Sequence, residues 1–182
     1  PDDLKIVIQD PRSSISGLAA VLWMQAVYGD KAEEAWEKLA PKILTVTKGW
    51  SESYGLFTDG EADMVMSYTT SPAYHIIAEG DRSKKAAIFP EGHYFMVELA
   101  AKVASTDQPE LADQFMAFLL SEPFQEMIAT GNWSIPAALP REKWPEGFQE
   151  LELPEKVLFY SEEEAAALRD EAIEAWRRAL SR

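Results

Sequence analysis

An α/β fold with a largely parallel sheet is what this sequence predicts, on three observations. Short β-branched or apolar runs alternate with stretches of helical length and period along most of the chain. Ser, Thr or Gly stands just ahead of several helical stretches, where helix starts want a cap. The 182 residues, 47% of them hydrophobic, are enough to bury a real core.

The elements follow in order. Residues 4–8 read as a strand, closed by Gln9-Asp10-Pro11. Ser13, Ser14 and Ser16 offer N-caps for a helix over residues 17–28, which Gly29-Asp30 ends. Residues 31–39 form a second helix, with Ala32, Ala35, Trp36 and Leu39 on one face. Pro41 breaks that pattern, and residues 43–46 read as a strand. Lys48-Gly49-Trp50-Ser51 leads into a helix over residues 51–58, and residues 64–68 look like a buried strand. Thr69, Thr70 and Ser71 precede Pro72, which suits the first position of a helix reaching residue 77. Residues 86–89 and 94–101 predict two further strands.

Residues 109–128 predict a long helix with a break at Pro123, and Leu111, Phe115, Phe118 and Leu119 recur at three- and four-residue spacing. Pro136, Pro140, Pro145 and Pro154 mark an extended, irregular connection. Ser161-Glu162-Glu163-Glu164 is a capping-box pattern that opens a tail helix. Its charge order suits the helix dipole, with acids in the first turn and Arg177, Arg178 and Arg182 near the end. There are no internal repeats.

Composition excludes several functions. With 31 Asp and Glu against 17 Lys and Arg, the net charge is −14, a field that repels nucleic-acid phosphates and draws cations weakly from a distance. No run of about 18 apolar residues is present to span a membrane. The absence of Cys excludes disulfides, thiolate metal sites and a Cys nucleophile. His75 and His93, the two histidines, stand in no metal-binding spacing and read as structural or solvated. There is no G-x-S-x-G elbow and no P-loop. The expectation is a chain with no catalytic residue, no metal and no cofactor.

Three loops share a strand-before, helix-after design: Asp10-Pro11-Arg12-Ser13-Ser14, Lys48-Gly49-Trp50-Ser51 and Ser67-Tyr68-Thr69-Thr70-Ser71. In a parallel sheet such loops gather at the carboxyl edge of the strands, where α/β proteins bind ligands. Ser13, Ser14, Thr69, Thr70 and Ser71 supply hydroxyls, and the helix starts supply N–H groups suited to phosphate or hydroxyl oxygens. Trp50 and Tyr68 suit stacking, or a cation over a ring face. Ordinary N-capping is the alternative for each hydroxyl. Trp133, in the turn Gly131-Asn132-Trp133, and Tyr74, one turn beyond Tyr68, complete the candidates, with core packing the alternative for Tyr74.

The runs QDPRSSISGLAAVLWMQAVYG, VTKGWSESYGLFTDGEADMVMSYTTSPAYH, EGHYFMVE and TGNWSIPA resemble, in that order, the periplasmic thiamine-binding proteins of ABC importers. The resemblance implies a type II periplasmic-binding-protein fold with the ligand in a cleft between two lobes. It implies that Ser14 hydrogen-bonds the ligand or its phosphate and that Trp50 contacts it. Tyr68, Thr69, Thr70 and Ser71 match a contiguous binding stretch, and Tyr74 and Trp133 match enclosing aromatics. Ile15 stands where the family often has another hydroxyl, which removes one hydrogen bond to a phosphate.

Family members are longer, and this chain corresponds to roughly their C-terminal three-fifths. The resemblance therefore places residues 1–92 and 137–182 in the second lobe and returns residues 93–136 to the first, whose N-terminal portion is expected to be absent here. The implied partners are thiamine, its monophosphate or its pyrophosphate, an ABC permease, and the missing lobe or a second copy of the chain. The chain alone is expected to bind thiamine weakly or not at all. Other readings are a binder of another cationic or aromatic solute, an isolated fragment, and a thiamine-related enzyme. A ferric-ion binder of the same fold is disfavoured, because Tyr68 is followed by Thr69 where iron binders use adjacent tyrosines.

Overall fold

The computed structural model describes residues 3–181, so Arg182 lies outside the described residues. The chain divides into two compact units. Unit 1 holds the residues up to Ser67, Ile88–Met96 and those from Pro154 onward, and unit 2 holds Tyr68–Ala87 and Val97–Leu153.

Unit 1 is built on a parallel sheet in the order β2-β1-β3, with β1 at Ile6–Gln9, β2 at Ile43–Thr47 and β3 at Met64–Val65. Parallel neighbours need long crossovers. Helices α1 (Ile15–Tyr28) and α2 (Ala32–Leu39) lie between β1 and β2, and α3 (Trp50–Thr58) between β2 and β3. Ile8, Val21, Leu22 and Trp36 form the core with Ile173 and Trp176 of α8 (Glu162–Leu180). Helix α1 begins close to the end of β1, and Gly17 permits this. A Cβ there would meet the Gln9 carbonyl oxygen at 2.6 Å and Asp10 backbone atoms at 2.8 Å. Gln9, 1% exposed, donates its amide to Ser53 Oγ and to the Met66 carbonyl, which joins β1 to α3 and to the end of β3.

A second parallel pair, β4 (His93–Tyr94) with β5 (Val157–Leu158), also belongs to unit 1. Trp23 of α1 donates its indole N–H to the Gly92 carbonyl at 2.8 Å beside it. The predicted capping box of α8 forms in full: Ser161 Oγ accepts from the Glu164 N–H, and the Glu164 carboxylate accepts from the Ser161 N–H.

Unit 2 is helical, with no strand among its described residues. Helix α4 (Ser71–Tyr74) runs on into a π turn, His75–Glu79. It packs on α7 (Glu146–Gln149) about a core of Ala73, Ala129, Phe148 and Leu151. Gly147 sits where a Cβ would come within 2.6 Å of Ile77, so the two segments meet closely. Helices α5 (Pro109–Leu119) and α6 (Glu122–Gly131) complete the unit.

Several predicted elements change. The long helix over 109–128 is two helices, parted at Leu120 and Ser121 rather than at Pro123. Pro123 sits in the first turn of α6, where a missing N–H costs nothing. The predicted strand over 86–89 has no regular structure, the one over 94–101 is reduced to His93–Tyr94, and the one over 64–68 to Met64–Val65. An apolar run becomes a strand only where a neighbour accepts its backbone hydrogen bonds. β4 finds that neighbour in β5, whose Leu158 carbonyl also accepts from the Phe95 N–H at 2.7 Å, and the strand goes no further.

Candidate ligand-binding site

Four of the nine candidate positions, Ser13, Ser14, Trp50 and their loops' helix starts aside, are hydroxyl or aromatic residues of one short stretch, and the structure puts them in unit 2 with Tyr74 and Trp133. In this stretch Tyr68 ends the chain's exit from β3, and the turn through Thr69 and Thr70 leads into α4. The Ser71 N–H donates to the Tyr68 carbonyl at 3.0 Å, and the Ala73 N–H to the Thr70 carbonyl at 3.0 Å. Thr70 is buried, Thr69 and Ser71 are half-buried, and Tyr68 is 44% exposed.

Tyr74 and Trp133 come together edge to face, with ring centroids 5.0 Å apart and planes at 85°. Trp133 also stacks, at 6.5 Å and 12°, on Phe148, which is completely buried. The Trp133 backbone has φ 53°, the one positive φ outside glycine among the described residues. Such a conformation in a bulky residue is uncommon and persists where its surroundings enforce it, often at binding sites. It leaves the Trp133 ring half-buried at the end of α6 and the Tyr74 ring 38% exposed.

Glu98 was not among the candidates. Both of its carboxylate oxygens accept from the Asn132 amide, at 2.9 Å each, next to Trp133 in sequence. Burial, and then the negative charge of Glu98, push the Tyr68 phenol above its ordinary pKa. Glu98 closes the EGHYFMVE run, but nothing in its residue type marked it out from the chain's many other acids. Unit 2 thus brings Tyr74 and Trp133 into contact and fixes the Glu98 carboxylate on Asn132, the residue before Trp133.

The unit 1 candidates have their own surroundings. Ser13 Oγ donates to the Lys48 carbonyl at 2.8 Å and ties the first loop to the second. Ser14 caps α1, accepting from the Gly17 N–H at 3.4 Å, and shares a hydrogen bond with Ser16 Oγ at 2.9 Å. Trp50 stacks on Tyr54, with centroids 4.5 Å apart, and donates its indole N–H to Ser67 Oγ at 2.9 Å. An open hollow of about 690 Å³ in unit 1, lined by Arg12, Pro41, Val46, Trp176 and Leu180, includes none of the candidates.

His75, Glu79 and Asp81 are the group of metal-type ligand atoms close together among the described residues, within 4.8 Å of one another. His75 Nδ1 pairs with Glu79 at 2.6 Å, and Asp81 accepts from the Ser83 N–H and hydroxyl. These bonds order the turn after α4.

A family model described as bacterial extracellular solute-binding protein matches residues 1–130. The chain belongs to that family. Among curated solute-binding relatives, the thiamine-binding periplasmic protein of Escherichia coli (strain K12) is 53% identical over 178 residues, covering 98% of this chain and 54% of that protein. The protein of the same name from Brucella melitensis is 48% identical, with 98% and 53% covered. A solved structure titled periplasmic thiamin binding protein superposes with a TM-score of 0.90 at 52% identity, over 99% of this chain and 56% of that one. This solute-binding chain therefore spans about half the length of the curated relatives it matches. The α/β fold expected from the sequence agrees with that match and with the parallel sheet of unit 1.

Proposed function

We propose that the chain is the ligand-binding part of a periplasmic thiamine-binding protein that delivers its cargo to an ABC permease, and that it catalyses no reaction. The observation that carries this reading is the Tyr74–Trp133 ring pair, with Tyr68 in the loop before α4 and the Glu98 carboxylate fixed by Asn132, the residue before Trp133. Thiamine has a permanently charged thiazolium and a flat aminopyrimidine. Ring faces stabilise such a cation, and a carboxylate supplies counter-charge. The relatives' shared name supports thiamine over another aromatic cation.

Trp50 adds a further contact in this reading, and Thr69, Thr70 and Ser71 supply hydroxyls. Ser13 and Ser14, beside the start of α1, receive the phosphate of thiamine monophosphate or pyrophosphate, with Ile15 limiting the preference for the phosphorylated forms. The lobe assignment of residues 1–92 with 137–182, against 93–136, is part of the proposal. It divides the longer protein, whereas the units of the folded chain part at Ser67 and Tyr68 because α4 packs on α7.

Each well-placed ring is worth about 0.5–2 kcal/mol toward a cation. Three rings give about 1.5–6 kcal/mol, which corresponds to a Kd of roughly tens of micromolar to tens of millimolar for the chain alone. Titration of thiamine against the chain, followed by tryptophan fluorescence and calorimetry, is expected to give at most weak saturable quenching, at roughly tens of micromolar to tens of millimolar, competed by thiamine phosphates. Equal competition by a simple quaternary amine refutes the thiamine reading, as does the absence of saturable quenching in the chain fused to the remaining portion of the Escherichia coli relative.

A further inference from the structure

The π turn that continues α4 closes back on its own start. Gly80, at φ 67°, takes the left-handed conformation that commonly ends a helix, and the Asp81 N–H then donates to the His75 carbonyl at 2.9 Å. The chain therefore returns to His75, and one ligand-type atom each from His75, Glu79 and Asp81 lies within 4.8 Å of the other two. No metal spacing is legible in the sequence here, because Asp81 joins the group only through the reversal at Gly80.

The three side chains combine a fixed imidazole with two carboxylates. His75 is 2% exposed, and its ring meets the Tyr74 ring edge to face, with centroids 5.2 Å apart. Its Nδ1 faces the Glu79 carboxylate at 2.6 Å, and Glu79 itself is exposed. Asp81 is half-buried, and its two oxygens accept from the Ser83 N–H at 2.7 Å and the Ser83 hydroxyl at 2.9 Å. Outer hydrogen bonds of this kind orient a carboxylate that ligates a metal. Lys84 Nζ, 3.5 Å from Asp81, is the cation that an incoming ion would displace.

We propose that His75, Glu79 and Asp81 form a binding site for a zinc-type dication, held by Nδ1 of His75 and one oxygen from each carboxylate, with water completing the coordination. Neutral imidazole and carboxylate together suit zinc and its neighbours in the first transition row, whereas calcium and magnesium take oxygen ligands. Bonds of about 2.0–2.2 Å at a tetrahedral ion set the ligand atoms roughly 3.3–3.6 Å apart. A largest separation of 4.8 Å leaves about 1 Å to close, and the ion replaces the proton between His75 and Glu79 and moves that carboxylate out by about 1 Å. The exposed Glu79 side chain is able to make that movement. The net charge of −14 also draws dications toward the chain. The site lies within unit 2 and holds whether or not thiamine is the ligand.

The test is calorimetric titration of zinc chloride into the 182-residue chain, stripped of metal, in a buffer free of chelator. The expected result is one equivalent bound with a Kd on the order of ten micromolar, weaker than a four-ligand structural zinc. Cobalt chloride at the same site should give the visible absorption bands of a cobalt ion with mixed nitrogen and oxygen ligands. His75 is buried, so its loss would disturb the fold, and the variants of choice are Glu79→Gln and Asp81→Asn. Each should weaken zinc binding by about tenfold or more and reduce the cobalt bands, while Glu61→Gln, an exposed acid elsewhere, leaves both unchanged. Binding weaker than about a millimolar overturns the inference, as does an affinity that the Glu79 and Asp81 variants leave unchanged or that Glu61→Gln lowers equally.

Discussion

Replacing Trp133 by Gly and, separately, by Ala separates its two burdens, holding a strained backbone and presenting a ring. In the native chain Trp133 has φ 53°, which costs a bulky L-residue about 1–2 kcal/mol. Against this it gains an edge-to-face contact with Tyr74 and a stack on Phe148, each worth about 0.5–1.5 kcal/mol. Trp133→Gly loses both ring contacts and the apolar area the ring covers, but it sheds the strain, which offsets part of that loss. Trp133→Ala loses the same contacts and keeps the strain, so it should be about 1 kcal/mol less stable than the Gly variant. Both remove one ring from the proposed site and should weaken thiamine binding by roughly 2- to 30-fold, the equivalent of about 0.5–2 kcal/mol. Urea unfolding gives the first comparison and calorimetric titration the second. An Ala variant as stable as the Gly variant refutes the strain, and unchanged affinity in both refutes the role of the ring.

Other perturbations test the framework. Gly17→Ala should destabilise unit 1 by about 1–3 kcal/mol, because the new methyl would lie within 3 Å of the Gln9 and Asp10 backbone; a thermal midpoint equal to that of the parent would contradict the close approach. His93 is held below its ordinary pKa by burial, and its Nε2 accepts from the Phe89 N–H at 2.9 Å, a bond that only the uncharged ring can make. Its folded pKa is thus below its unfolded one, so its contribution to stability is complete above about pH 6.5 and is lost as pH falls through the folded value. Thermal melts from about pH 7.5 down to about pH 5 should show this loss, and His93→Asn, whose amide oxygen still accepts, should reduce it. An unaltered pH dependence in that variant would assign the slope to other groups.

Local interactions were the readable part of this sequence. The ends of α1, α2, α3 and α8 lie within about two residues of where Ser, Gly and Pro placed them, because caps and helical period act over a few neighbouring residues. The capping box at Ser161 was readable for the same reason. The strands over 86–89 and 94–101 were not, because a strand is completed by a partner that may lie anywhere in the chain or outside it. Of the candidate site, the aromatic and hydroxyl types at Tyr68, Thr69, Thr70, Ser71 and Tyr74 were legible from the loop before α4. Glu98 was hidden among 31 acids, since what sets it apart is its bond to Asn132, 34 positions away, and not its neighbours in sequence.

What the sequence by itself determined is the alternation of strands and helices, the caps that bound them, and the residue types able to grip a flat cation. Tertiary structure alone decided that Tyr74 meets Trp133, 59 positions away by number, at 5.0 Å, and that Leu99 and Phe115 stand bare in solvent. The division has a physical cause. Backbone propensity and capping are settled over one or two turns of chain, whereas ring contact, burial and strand pairing depend on which distant surfaces the fold brings together.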